Sequence, residues 1–283
     1  MLVLILSLCG CSCIRWAARA RVPKMTSSAR YALGVDVGTG SARAGVVDVA
    51  SGALCGVHKQ DIVMFHPLSE YYEQSSEDIW GAVCACVKAA LSHAHVRPED
   101  VCGIAFDATC SLVLLDGRGQ PVGADPTLPD EAERNVIVWM DHRAEEQVSP
   151  LSLDYTARGL WSVSRAHLEY LGLLYPADLR RFQAARINAG GHPRLANVGG
   201  IISPEMEIPK LLWLKENMPR AFEAVAGPGA NGKAMDLSDF LAYKATDGKA
   251  HARSLCTTVM AALQSALGGW AWTRTRANPV RVL

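Results

Sequence analysis

The sequence predicts an α/β fold in which a mixed sheet opens with an antiparallel meander and is flanked by helices. Three β-rich runs follow one another through residues 31–64, separated only by tight turns. An apolar stripe at helical spacing comes next, with Ile79, Val83 and Val87 beside Trp80, Cys84 and Leu91. Buried-type strands then return near Val101 and Val136. Strands joined directly by tight turns pair as an antiparallel meander, not as a βαβ unit.

The first strand is YALGVDV, residues 31–37, ending in the turn Gly38-Thr39-Gly40-Ser41. Residues 42–49 form the second, closed by Ser51-Gly52, and residues 53–64 the third. Ser75-Ser76-Glu77-Asp78 supplies an N-cap and first-turn acids for a helix expected to end near Arg97-Pro98. Strands are predicted at 101–106, at 112–115 before Asp116-Gly117, and at 135–140 before Asp141-His142-Arg143. Residues 149–186 have no clean period. Helical signals return at 204–217 and 237–245, and residues 260–283 begin as a helix and then lose the pattern.

The chain has 283 residues, a hydrophobic fraction of 49% and 28 basic against 28 acidic side chains. That is enough for a sizeable core and too balanced for a broadly electropositive nucleic-acid binder. No apolar run reaches the length of a membrane span. The nine cysteines form no CxxC pair and are odd in number, which favours reduced thiols in a cytoplasmic protein over a disulfide or zinc framework. Residues 1–14 are apolar, but Arg15, Arg19 and Arg21 follow that run instead of preceding it. Residues 1–28 are therefore expected to be a disordered leader, or an extension upstream of a start at Met25, in preference to the alternative of a secretory signal.

The strongest chemical signal is GVDVGTGSAR, residues 34–43. Gly38 and Gly40 let backbone approach a ligand closely, and the N–H groups of such a turn, with the Thr39 and Ser41 hydroxyls, can meet phosphate oxygens. Asp36 at the strand end could hold Mg²⁺, directly or through water. No Gly-Lys-Ser/Thr follows, so this is not a P-loop, and the third glycine of a dinucleotide loop is missing. The alternative is an ordinary hairpin turn.

The motif series resembles the FGGY family of carbohydrate kinases, within the actin, hexokinase and Hsp70 ATPase superfamily. GVDVGTGSARAGVVD is followed by EQSSEDIW, GIAFDATCSLVLLD, NVIVWMDHRA, PEMEIPKLLWLKEN and DLSDFLAYKATDGKAHARSLCT in the family's order. Several are most similar to the ribulokinase-like, pentulose-phosphorylating branch. The resemblance implies a ribonuclease H-like fold over residues 29–259, the N-terminal domain, with 149–186 an atypical insertion and 260–283 a divergent tail.

The resemblance also implies roles. Asp36, Gly38, Thr39, Gly40, Ser41 and Arg43 would face MgATP, with Asp36 the metal-side carboxylate. Asp107, Thr109 and Ser111 would line the sugar cleft. Asp141 and Arg143 form a pair that shapes the cleft or touches substrate. Lys210 would bind a hydroxyl or phosphate oxygen, the alternative being a solvated lysine at a helix start. Asp236 and Asp239 read as capping residues.

The family's proton-abstracting aspartate follows the segment that ends here at Thr258, and residues 260–283 contain no Asp or Glu. No catalytic residue is therefore assigned. The expectation is a pentulose kinase in truncated form, without its base and C-terminal nucleotide lobe, the alternative being a non-catalytic sugar-binding or interaction module. A chaperone-type ATPase is disfavoured by the W-x-D-x-R and Pro-Lys segments. The expected partner is a small sugar, with no nucleic acid and no membrane, and an exposed lobe surface leaves room for self-association.

Overall fold

The fold is that of a computed structural model, which describes residues 2–3, 30–128, 131–148, 200–227 and 229–249, with isolated positions 188, 191, 195 and 196. The expectations for 149–186 and 260–283, and for nearly all of 1–28, lie outside the described residues. In chain order the strands are β1 (Leu2–Val3), β2 (Tyr31–Val37), β3 (Ser41–Asp48), β4 (Leu54–Asp61), β5 (Glu73–Gln74), β6 (Val101–Ala108), β7 (Leu112–Leu115), β8 (Val136–Ile137) and β9 (Lys233–Asp236). The helices are α1 (Ser76–His93), α2 (Glu145–Val148), α3 (Glu207–Asn217), α4 (Pro219–Ala226) and α5 (Leu237–Ala245).

The chain divides into two compact units: Met1–Met64, Gln74–Val113 and Met235–Leu283 form the first, and Phe65–Glu73 with Leu114–Ala234 the second. The first holds a five-stranded sheet in the order β1-β6-β2-β3-β4. The expected meander is there: β2 pairs antiparallel with β3 and β3 with β4, while β6 returns parallel to β2. Alternation decides the faces. Leu33, Val35 and Val37 of β2, Ala42, Ala44 and Val46 of β3, and Ile104 and Phe106 of β6 are all buried.

Helix α1 starts as expected, with Ser75 Oγ accepting the Asp78 N–H. It buries Ile79, Ala82, Val83, Cys86 and Ala90, and Cys86 Sγ donates to the Ala42 carbonyl. Strand β4 crosses so close to the helix end that a Cβ on Gly56 would lie 2.5 Å from the Ala90 carbonyl oxygen. The helix stops at His93, short of Arg97, because His95 takes a left-handed conformation (φ 53°) and Val96 N–H returns to the Leu91 carbonyl.

A smaller sheet runs β5-β8-β7-β9. Residues 135–140 were expected to be one strand, but β8 is only Val136–Ile137. The carbonyls of Val138 and Trp139 are taken by the Lys210 ammonium, so they cannot continue a ladder. Helix α4 carries its own start signal, Pro219 in the first turn.

Candidate functional site

In the first unit, the candidate residues collect where β2 and β6 end. Register places Asp36 opposite Arg43 on β3 and opposite Asp107 on β6, so these three lie abreast on one sheet face. That face is the one the apolar side chains leave, which is why Asp36 and Arg43 are solvent-exposed. Arg43 Nη1 lies 2.7 Å from Asp36 Oδ2. Opposite charges in register on neighbouring strands make this pair a product of the β2–β3 hairpin itself.

The Gly38–Ser41 turn is held through its carbonyls. Gly38 N–H donates to the Ser41 carbonyl at 3.0 Å, Ile62 N–H to that of Gly40 at 3.2 Å, and Gln74 Nε2 to that of Thr39 at 2.8 Å. A Cβ on Gly40 would meet nothing within 4 Å, and one on Gly38 would meet the Arg43 guanidinium at 3.6 Å and the Ser41 carbonyl oxygen at 3.9 Å, both ordinary contacts. Neither glycine is demanded by the packing of the described residues, and both leave the turn's backbone open to close approach. Ser41 is enclosed, at 3% exposure, so its side chain is not displayed at the surface as the sequence suggested.

The Asp107–Ser111 segment leaves β6 directly beside this turn: Thr109 N–H donates to the Val37 carbonyl at 3.0 Å. Thr109 Oγ1 and Ser111 Oγ are 3.3 Å apart, and the Leu237 N–H at the start of α5 donates to the Ser111 carbonyl. Asp236 caps that helix, accepting from Ser238 N and Oγ, as the sequence indicated. Burial raises the Asp236 pKa to about 6, against its Ser238 hydrogen bonds, and the nearby charges of Asp239 and Asp107 push the same way.

The second unit contains Asp141, Arg143 and Lys210. Arg143 Nε and Nη2 grip Asp141 Oδ1 and Oδ2 at 2.8 and 2.7 Å, and Nη2 also reaches Glu73 Oε1 at 2.8 Å. The guanidinium lies over the Tyr71 ring at 4.3 Å and the Trp213 ring at 5.0 Å. All three charged side chains are buried. Burial raises the Glu73 pKa although the Arg143 guanidinium opposes it.

Lys210 is 1% exposed, which overturns the solvated-lysine alternative. Its Nζ donates to the Val138 carbonyl at 2.8 Å and the Trp139 carbonyl at 3.1 Å. Burial pushes its pKa down to about 8, with Asp141 opposing. Trp139 itself keeps an exposed ring on this clamped segment. His142 Nε2 pairs with Glu205 at 3.1 Å.

Sequence reasoning assigned no role to Gln74 or Glu73. The adjacent pair in EQSSEDIW was used only as part of a motif, although two polar residues directly before a helix cap needed partners. For the nucleotide and Mg²⁺ implied by the family, the donors in the first unit fit. Asp36, with Asp107 alongside, offers the hard anionic oxygens that suit Mg²⁺ and its water shell, and the turn offers backbone N–H groups beside them.

Residues 31–168 match the family model for the N-terminal domain of the FGGY family of carbohydrate kinases. A human FGGY carbohydrate kinase domain-containing protein is 39% identical over 241 residues, covering 85% of this chain and 35% of that protein. A D-ribulokinase of Saccharomyces cerevisiae is 36% identical over 241 residues, covering 85% of this chain and 27% of that protein. The chain thus spans about a third of the length of the curated relatives it matches. The crystal structure of xylulose kinase from Rhodospirillum rubrum aligns with a TM-score of 0.50 at 18% identity, covering 76% of this chain and 33% of that one. The shared fold is the ribonuclease H-like fold of the actin and hexokinase ATPases.

Proposed function

The chain carries the N-terminal domain of the FGGY family of carbohydrate kinases and is ribulokinase-like, and from that premise we propose that it serves ATP-dependent phosphorylation of a pentulose such as D-ribulose. One observation carries this reading. The Gly38–Ser41 turn and the Asp107–Ser111 segment leave two adjacent parallel strands at the same end, tied by the Thr109 N–H to Val37 carbonyl bond. Ligands of α/β proteins collect at such strand ends, where backbone donors and short polar side chains converge.

In this reading the turn receives the triphosphate and Asp36 faces its Mg²⁺. Asp107 and Thr109 hydrogen-bond sugar hydroxyls and so reject analogues that lack them. Lys210 and the Asp141–Arg143 pair support the Trp139 segment from inside, which favours the cleft-shaping role over direct contact with substrate. Arg43 holds Asp36 in place and spreads its charge.

Calorimetric titration with D-ribulose, D-xylulose and L-ribulose, beside a coupled assay of ADP release, tests this. Saturable binding of one pentulose supports the reading. If that binding persists when Asp107 is replaced by alanine, the assignment of the sugar site is wrong. Tight pentulose binding that MgATP neither strengthens nor weakens would favour the sugar-binding module.

A further inference from the structure

We propose that Gln74 is a positioning residue for the phosphate-binding turn: its side-chain amide fixes the Thr39–Gly40 peptide so that the Gly40 N–H faces the incoming phosphate oxygens. The inference rests on the reading of residues 38–41 as a phosphate loop and adds to it a residue that touches no ligand.

A trans peptide points its carbonyl and its N–H in opposite directions. Gln74 Nε2 donates to the Thr39 carbonyl at 2.8 Å, and Gln74 is 1% exposed, so that carbonyl is turned into the protein. The Gly40 N–H of the same peptide is thereby turned the other way. The next two carbonyls are also engaged, Gly40 by Ile62 N–H and Ser41 by Gly38 N–H. Three successive acceptors thus face protein donors, one of them the turn's own Gly38 N–H, and the Gly40 N–H is left on the opposite side of its peptide.

The hold at Thr39 is the one made by a side chain, and it acts where it is most needed. A peptide next to glycine flips at little steric cost, and a Cβ at Gly40 would meet nothing within 4 Å. Flipped, this peptide would aim a carbonyl oxygen at a phosphate and repel it. Gln74 is well placed to prevent this, because it ends β5 directly before Ser75, the N-cap of α1.

The test uses the full 283-residue chain with magnesium tripolyphosphate as probe. Calorimetry gives affinity, and ¹⁵N-glycine labelling follows the Gly40 amide, assigned through Gly40→Ala. Gln74→Met keeps length and removes the donor; Gln74→Glu places an acceptor against the Thr39 carbonyl. The unmodified chain should bind with a downfield shift of the Gly40 amide. Gln74→Met should bind about 10-fold more weakly, the loss of one hydrogen bond's positioning. Gln74→Glu should bind more weakly still and lose the shift.

Should either variant fail to fold, the Gly40 shift in the unmodified chain still decides. Saturable binding without that shift overturns the inference alone, as does Gln74→Met binding within twofold of the unmodified chain. Failure of the unmodified chain to bind at all overturns the phosphate-loop reading and this inference together.

Discussion

Arg143 holds both carboxylate oxygens of Asp141, at 2.8 and 2.7 Å, inside the second unit and out of contact with water. The Tyr72 and Arg143 backbone N–H groups complete the carboxylate's shell at 2.7 and 3.0 Å. Four donors on one buried anion make an organising centre: it ties the segment entering β5 to the turn that follows β8.

Arg143→Met should therefore cost about 3–5 kcal/mol of stability, because it removes the guanidinium that pairs with two buried carboxyl groups, Asp141 and Glu73. Urea unfolding followed by circular dichroism measures this. A loss below about 1 kcal/mol would show that the pair is not a structural centre.

Lys210 predicts a distinctive alkaline profile. Its folded pKa is depressed from 10.5 to about 8, chiefly by burial. Between those values the unfolded chain holds a proton that the folded chain has released, so unfolding free energy rises with pH across that window. The neutral amine keeps donors for the Val138 and Trp139 carbonyls. Subtracting the profile of Lys210→Met from that of the unmodified chain should isolate a rise of at most about 3 kcal/mol; a flat difference contradicts the burial argument.

Asp236 predicts the opposite slope at acid pH. Its folded pKa is raised from 3.8 to about 6 by burial. The folded chain therefore keeps a proton that the unfolded chain loses first, and this group's contribution declines as pH rises from about 4 to 6. Asp236→Asn, which keeps a capping oxygen, should flatten that decline and be about 1–2 kcal/mol more stable at pH 7. Asp236→Ala should lose about 1 kcal/mol for the missing cap. Thermal midpoints across pH 4–7 separate the two.

The parts of this protein that were legible in its sequence are those specified locally. Alternating apolar residues and glycine turns encode β2, β3 and β4, and Ser75 with its following acids encodes the start of α1. Features set by distant partners were not readable. β8 ends early because Lys210, some seventy residues away, takes its carbonyls, and α1 ends early at a left-handed histidine where sequence reasoning looks for glycine.

The site divides in the same way. Asp36, Gly38, Gly40 and Asp107 were singled out from motif and resemblance, and register sets Asp36, Arg43 and Asp107 side by side. Ser41 and Ser111 were expected as displayed hydroxyls but are enclosed, because β3 and β7 begin at or directly beside them. Gln74 escaped notice because its role depends on reaching back 35 residues to Thr39.

The most direct test of the account is calorimetric titration of the Asp107→Asn chain with D-ribulose beside the unmodified chain. Asp107 is half-buried on the sheet face beside the phosphate turn, and a sugar hydroxyl bonded to its charged oxygen should contribute more than a neutral bond would. The account predicts saturable binding by the unmodified chain and affinity about 10-fold to 100-fold weaker in Asp107→Asn at an unchanged thermal midpoint. Equal affinities in the two chains, or no binding of D-ribulose or any other pentulose by the unmodified one, would contradict it.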